Sequence, residues 1–453
     1  MLSSDQLREA DRHAIEDLGI PGVGLIERAA TELCSVINEV AVDGPIAIVC
    51  GKGNNGADGM AAAKLLLEQD KTVFVYTTFS SGELAGDAAA VHQMLGDGVT
   101  AELPESLPAG VGCVVDCVLG TGAAGEPRGS ALQAIRLIND AVGSCPIVAC
   151  DVPSGVDAST GEVAGEAVVA DLTLSFHALK VGLKINIGKR LAGAVRVVDI
   201  GIPDNCSEPA AGLIEQSVCS TLPTRAAHGD KFSAGAVVVA GGSPGLTGAP
   251  VMAGLGAARG GAGYVTLALP DVHLAASERV PELMGLALPS DAGCHTPVGA
   301  DAVIGRSATD SVVVLGPGLG RSPSAAAFAV AVASAAAGPI VIDADAIRAI
   351  GQFSAEVAAR SGPTVITPHE GELAALLNVS RSEVSARRLH FARTAAERFG
   401  ALVVLKGDDT LICEAAGATL VSPGGSPALA TAGSGDVLAG LIAALLEIGR
   451  AHV

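Results

Sequence analysis

Short β-branched runs alternate with longer apolar stretches of helical period along the whole chain. In the first half the runs are Ile46–Val49, Thr72–Tyr76, Val114–Val118, Pro146–Cys150 and Val195–Ile200. Helical stretches such as Ala57–Glu68 and Ser130–Ala141 lie between them. Runs that are apolar throughout belong to strands covered on both faces. The alternation therefore predicts βαβ units around a mostly parallel sheet. This series closes at Asp199–Pro203, and residues 204–220 carry no clear strand and read as a linker. A second series begins at Ala236–Ala240. It continues through Tyr264–Leu269, Ser311–Leu315, Pro339–Asp343, Thr364–Thr367 and Ala401–Leu405, with Ala-rich helices between. The two series share no convincing repeat, so they predict two unrelated α/β domains, 1–203 and 221–453.

The length agrees: 453 residues are too many for one ordinary core and suit two domains of roughly 200 residues each. With no Trp, two Tyr and eight Phe, the cores must be filled by Ala, Val, Leu and Ile, and the 58 glycines point to tight turns and close backbone approaches. A mean hydropathy of +0.48 invites a membrane reading. Yet Gly, Pro or a charge interrupts every apolar run before ~18 residues, and the N-terminus has no apolar leader core. A cytoplasmic protein with no membrane partner is expected. The ten cysteines are scattered, without Cys-x-x-Cys spacing, as small buried hydrophobes in a reducing compartment would be. A net charge of −20 with no basic block excludes a long nucleic-acid partner. A small anion held by backbone N–H groups remains open.

Candidate chemistry gathers at the ends of the strands. The first run opens into Gly51-Lys52-Gly53-Asn54-Asn55-Gly56-Ala57-Asp58-Gly59 and then a helix, the place where open α/β sheets hold phosphate or ribose. The turn is neither a Walker A loop nor G-x-G-x-x-G. Val115-Asp116 leads to Gly120-Thr121-Gly122 and Arg128, and Asp151 is followed by Pro153-Ser154-Gly155. Singly, Asp116 or Asp151 reads as a turn former. Three coincident clusters at strand C-termini read as a site.

These residues resemble the NAD(P)H-hydrate epimerases, the YjeF N-terminal family. Its motifs G-x-G-N-N-G-G-D-G, V-D-A-x-x-G-T-G…R-G and D-x-P-S-G-x-D have close matches here in order, and Phe176–Gly182 and Asp199–Pro203 match as well. The resemblance covers about residues 1–203. Departures are Ala57 and Cys117, where the family has Gly and Ala, and a methyl at position 57 either crowds the ligand backbone or is tolerated at the helix start. The resemblance implies a Rossmann-like α/β/α sandwich. It implies that Asn54, Asn55, Gly56, Ala57, Asp58, Gly120, Thr121, Gly122 and Arg128 contact a hydrated dinucleotide, with a potassium ion near Asn55, Asp116 and Ser154. Inverting a hydroxylated ring carbon beside nitrogen needs proton transfer and a counter-charge for an iminium-type cation, and Asp151 can supply both.

The second half ends in Gly433-Ser434-Gly435-Asp436 opening an apolar helix. Backbone N–H groups and a helix N-terminus would sit under an anion with a carboxylate beside it, which suits phosphoryl transfer with Asp436 as base. An Asp that merely complements the helix dipole is the alternative. Gly316–Gly320, Asp343–Ala346, Thr367–Glu372 and Lys406–Thr410 each follow a predicted strand. Together they resemble the ribokinase-like superfamily, and its ADP/ATP-dependent NAD(P)H-hydrate dehydratases most closely, over about residues 221–446. That resemblance implies a ribokinase-like α/β/α domain. Lys406, Gly407, Asp408, Asp409 and Thr410 would hold the adenylate, and Gly435 the migrating phosphoryl. Ala249, Gly318, His369 and Asp436 would face the hydrated cofactor. Magnesium would accompany ADP, with AMP as product, and a homo-oligomer is expected. Departures are His228-Gly229-Asp230-Lys231, where the branch has His-Lys-Gly, and Pro250 beside Ala249.

The last residues, Glu447–Val453, coincide with the translation of a common sequencing adapter, so a natural C-terminus different from this one is expected. A ribokinase-like sugar or hydroxymethylpyrimidine kinase with an accessory N-terminal domain is the main rival reading. A non-catalytic first domain is another.

Overall fold

The computed structural model describes residues 1–96, 98–222, 235–307 and 311–450, which fall into two compact units, Met1–Gly212 and Leu213–Val453. The first unit contains β1 (Ile46–Cys50), β2 (Val73–Thr77), β3 (Thr100–Glu102), β4 (Cys113–Cys117), β5 (Ile147–Cys150), β6 (Leu172–Phe176) and β7 (Ala194–Val198). They form one sheet in the order β3-β2-β1-β4-β5-β6-β7, parallel throughout. Side chains of β1 alternate between two cores. Ile46, Ile48 and Cys50 pack with the helices Gly22–Val40 and Asn54–Glu68, while Ala47 and Val49 pack with Ala134, Ile135 and Ile138 of the helix Gly129–Asn139. Both faces are covered, which explains why the strands carry apolar residues at every position. The order reverses between β1 and β4, so the crevice outside their carboxyl ends is where this topology holds a ligand.

In the second unit β8 (Gly212–Leu213) lies at one edge of the sheet. It is followed along the chain by β9 (Ala236–Ala240), β10 (Tyr264–Pro270), β11 (Met284–Leu288), the hairpin β12 (Ser290–Asp291) and β13 (Cys294–His295), and β14 (Ser311–Leu315). Then come β15 (Ile340–Ile342), β16 (Thr364–Ile366), β17 (Leu402–Leu405), β18 (Leu411–Cys413) and β19 (Thr419–Val421). The sheet order is β11-β10-β9-β14-β15-β16-β17-β18-β19-β8. It is parallel from β11 to β17, and β18 and β19 are antiparallel. Its reversal lies between β9 and β14. The helix Gly248–Gly260 packs on the last helix, Ser434–Arg450, through Ala253, Ala257, Ala439 and Ala443. Small side chains on both let the two backbones approach closely.

Several elements depart from the sequence reading. The strand β6 was not expected, because Thr173 and Ser175 interrupt its apolar run. Both are fully buried, and their hydroxyls donate to Ala192 O (2.7 Å) and Ala178 O (2.9 Å), which removes the cost of burying them. Residues 204–220 are not devoid of regular structure. They contain β8 and short 3-10 turns, and Ile214 N donates to Val421 O at 2.9 Å. Pro250 sits in the first turn of the helix Gly248–Gly260, where a missing N–H leaves no helical bond unmade. His228–Lys231 and the final residues 451–453 lie outside the described residues.

Candidate active sites

At the end of β1 the chain turns through Gly51–Gly53 into the helix Asn54–Glu68. A methyl on Gly56 would overlap the carbonyl oxygen of Gly51, so the loop and the first helical turn are in backbone contact. Across the switch point, a Cβ on Gly120 would lie 3.1 Å from the Cβ of Asn55. The Asn55 side chain is buried there, and neither its Oδ1 nor its Nδ2 has a partner among the described residues. Below it Asp116, fully buried on β4, accepts from Ser154 Oγ (2.6 Å), Ser154 N (2.7 Å) and Val118 N (3.2 Å). Burial pushes its carboxyl up to about 6, against the three bonds that favour the anion. This knot fixes the β4 loop to the β5 loop.

Asp151 ends β5 with φ +66°, a left-handed conformation that costs a non-glycine residue about 1–3 kcal/mol. Its N–H donates to Leu174 O (2.8 Å), and its Oδ1 accepts from Phe176 N (3.1 Å) and from the ammonium of Lys180. Lys180 Nζ also donates to Phe176 O at 2.8 Å, and its side chain is 1% exposed. The twisted backbone thus aims a carboxylate whose rotamer is held by two donors. It lines a cavity of about 690 Å³ together with Asn54, Asn55, Asp58, Gly120 and Thr121, and Gly122 and Arg128 stand at the same cavity.

Two expected ligand contacts do not border the cavity. Gly56 lies under the Gly51 carbonyl and Ala57 is fully buried in the helical core, so neither lines the cavity. The Ala57 methyl points into that core and cannot crowd a ligand. Asp116 and Ser154 lie beneath the cavity surface. Lys180 and Asp11 belong to the site, and sequence reasoning assigned neither. Lys180 lies within the Phe176–Gly182 stretch that resembles the family, but that resemblance gave it no role. The Asp11 side chain is exposed, and its carboxyl is pushed upward by partial burial and by Asp151, with Lys180 opposing. Solvent therefore moderates that shift.

The second site is assembled at the other switch point. Gly318, at φ +63°, follows β14 under the carbonyl of Leu246, and a Cβ on it would lie 3.1 Å from that of Ala249. Ser243 Oγ closes the cradle by donating to Gly318 O at 2.9 Å. From β17, Lys406 Nζ reaches Asp343 Oδ1 (2.9 Å) and lies 3.7 Å from Glu372 Oε2, and a Cβ on Gly435 would meet it at 3.4 Å. Asp436, half-buried one residue on, has its carboxyl pushed up to about 6 by burial and by Asp343, with Lys406 opposing and Glu372 reinforcing. A carboxyl poised near neutrality beside helix-terminal amides is suited to take a proton. His369 caps the helix Glu370–Leu377: its Nδ1 accepts from Gly371 N (2.9 Å) and Glu372 N (3.2 Å).

Gly407 and Asp408 are exposed, and Thr410 Oγ1 donates to Gly407 O at 2.8 Å, closing the turn between them. Asp409, expected beside the adenylate, is placed differently from its neighbours. It is 3% exposed and its carboxylate is committed to Arg388 at 2.9 Å, which also donates to Glu370 Oε1 at 2.7 Å. It braces the loop from within instead of facing a nucleotide.

Two doubly wound sheets, each with a glycine-lined switch point and an acid beside it, define a two-domain α/β enzyme acting on small ligands. A family model for the YjeF-related protein N-terminus matches residues 23–182, and one for NAD(P)H-hydrate dehydratase matches residues 237–453. The chain is 35% identical over 480 residues to the bifunctional NAD(P)H-hydrate repair enzyme of Salinibacter ruber, covering 99% of this chain and 88% of that one. It is 35% identical over 477 residues to the enzyme of the same name from Moorella thermoacetica, with the same coverage of 99% and 88%. Among solved structures, the ADP/ATP-dependent NAD(P)H-hydrate dehydratase of Bacillus subtilis, co-crystallized with ATP and Mg2+, aligns at 28% identity and a TM-score of 0.42. That alignment covers 52% of this chain and 80% of that one. The chain belongs to the family of bifunctional NAD(P)H-hydrate repair enzymes.

Proposed function

We propose that residues 1–203 epimerise the hydrates of NADH and NADPH, that 204–220 link, and that 221–453 dehydrate the S form as ADP becomes AMP and phosphate. The observation that carries this reading is the Asp151 carboxylate, aimed into the first cavity by a left-handed backbone and held by Lys180 and Phe176 N. A fixed anion there would stabilise a ring cation as the carbon–oxygen bond weakens. Asn54, Gly120 and Thr121 border the same space and would position the dinucleotide. The unpartnered Asn55 Oδ1, above the Asp116–Ser154 pair, supplies hard oxygen donors that fit a potassium ion. When bound, that ion would add positive charge for phosphate oxygens.

In the second unit Asp436 would take the proton of the hydrate hydroxyl as its oxygen attacks the terminal phosphorus of ADP, and AMP leaves. Phosphate then departs with the carbon–oxygen electron pair, and loss of a neighbouring ring proton restores the dihydropyridine. Hydroxide leaves badly and phosphate well, which gives a kinase-like fold its use in a dehydration. Magnesium would enter with the nucleotide phosphates, held through few protein oxygens as that ion prefers, and Glu372 is the carboxylate at hand beside Lys406. Gly407, Asp408 and Thr410 would hold the adenylate, with Ala249, Gly318 and His369 on the hydrate side. Among the described residues no helix is long and apolar enough to cross a membrane, and all ten cysteines are free, which supports action in a reducing cytoplasm.

The test is recovery of reduced-nicotinamide absorbance from mixed hydrates of NADH with ADP and magnesium. Complete recovery is expected for the wild type, fast recovery of only the S fraction for Asp151→Ala, and none for Asp436→Ala. A folded wild type that recovers nothing would refute the reading.

A further inference from the structure

The first cavity holds a carboxyl that the mechanism so far leaves idle. Asp58, in the second turn of the helix Asn54–Glu68, is 8% exposed and lines the cavity that Asp151 lines. No hydrogen bond among the described residues supports its charge. Asp151 reaches the same space from the loop after β5, and its charge is held by two donors. The surroundings of Asp58 sharpen the contrast. Burial, Asp151 and Asp11 all push its carboxyl well above the ordinary range, and Lys180 alone pulls the other way. His177 shares the cavity, Asp116 lies below it, and the thiols of Cys50, Cys117 and Cys150 beneath are themselves kept neutral by burial. Two carboxyls facing one space, one held by donors and one without them, suit opposite roles in proton transfer.

On the functional reading above, we infer that Asp58 and Asp151 act on the same ring carbon as acid and base, with Lys180 as the positioning residue that holds the Asp151 carboxyl in place. Asp58 gives its proton to the departing hydroxyl. The carbon–oxygen bond breaks with its electron pair on the leaving water, and the lone pair of the ring nitrogen closes the carbon–nitrogen double bond. Water from solvent then adds to the opposite face, its oxygen forms the new bond, and its proton passes to Asp151. The pair ends with the proton on the other carboxyl, so the reverse epimerisation starts from that form and exchange with solvent resets it. No oxidant, reductant or further reactant enters.

The experiment uses the full chain and purified R hydrate of NADH in water enriched in heavy oxygen. Wild type is expected to produce S hydrate carrying solvent oxygen. Asp58→Asn, which is isosteric, should lower kcat for epimerisation by about 10²- to 10⁴-fold with little change in KM, and should abolish the fall in rate on the alkaline side of the pH profile. Asp58→Glu should restore part of the rate. Dehydration of purified S hydrate with ADP by Asp58→Asn should match wild type, showing that the protein is folded. An Asp58→Asn enzyme within about threefold of wild-type kcat overturns the assignment, as does wild-type product that keeps its original oxygen. No epimerisation by wild type overturns the functional reading itself, and this pairing with it.

Discussion

Lys406 Nζ stands 2.9 Å from Asp343 Oδ1, so one ammonium joins the ends of β15 and β17, and a methyl added to Gly435 at the start of the last helix would lie 3.4 Å from it. Asp343 is buried, and among the described residues its other side-chain donor is Thr367 Oγ1, at 2.7 Å. Lys406→Met would leave that carboxylate without a counter-charge. Loss of about 3–5 kcal/mol from the second unit is expected, as for other broken buried pairs, along with loss of ADP-dependent dehydration. Thermal unfolding of the variant checks it, and an unchanged Tm would show that the ammonium is expendable to the fold.

The pH dependence of dehydration follows from Asp436. Its carboxyl is raised to about 6 by burial and by Asp343, so the base form is present above that value and is lost as pH falls through it. The rate on S hydrate should fall about tenfold per unit below about pH 6. Asp436→Asn should run about 10²- to 10⁴-fold slower without that acid limb, in a single-turnover assay across pH.

Lys180→Met tests the first site in the same terms. The substitution keeps the volume and strips Asp151 of its main donor inside the protein. Epimerisation should fall at least about 10²-fold while dehydration of S hydrate persists, and the first unit should unfold at lower temperature. Parallel assays of the two half-reactions on one preparation decide it.

Potassium can be examined without substrate. Asn55 offers a buried oxygen with no partner, and a cation there would bind the folded chain only. The first unit should melt higher in potassium chloride than in tetramethylammonium chloride of equal ionic strength, by up to about 2.7 kcal/mol at a hundred times the dissociation constant. Asn55→Leu should erase the difference. Equal melting of the wild type in both salts would remove potassium from the site.

In the second unit, a methyl on Gly440 would overlap the carbonyl oxygen of Ala253. Gly440→Ala should therefore force the helices Gly248–Gly260 and Ser434–Arg450 apart and cost about 1–3 kcal/mol, read from denaturant unfolding.

How much of this was legible in the sequence depended on how local each signal was. The strand runs of both units, Asp151 after β5 and Asp436 at a helix start could all be read from neighbouring residues. The Lys180–Asp151 pair could not, because it spans 29 positions and forms only when β5 and β6 lie side by side. Asp409 misled for the same reason: its partner Arg388 lies 21 residues upstream, and next to Lys406 its charge read as a ligand contact. Ala57 misled through its motif position, since a helix turns one residue inward where its neighbour Asp58 faces the cavity. The strand β6 was hidden by hydroxyls that the fold satisfies internally.

The cap at the start of the helix Glu370–Leu377 has a consequence for recognition. With Nδ1 of His369 occupied by two backbone N–H groups, the imidazole is the tautomer that carries its proton on Nε2. Toward anything placed against its exposed edge it can only donate. A ligand group docked there must therefore present a lone pair, and an amide nitrogen turned the same way would meet hydrogen against hydrogen. Were a carboxamide docked there, the helix cap would favour its oxygen facing Nε2.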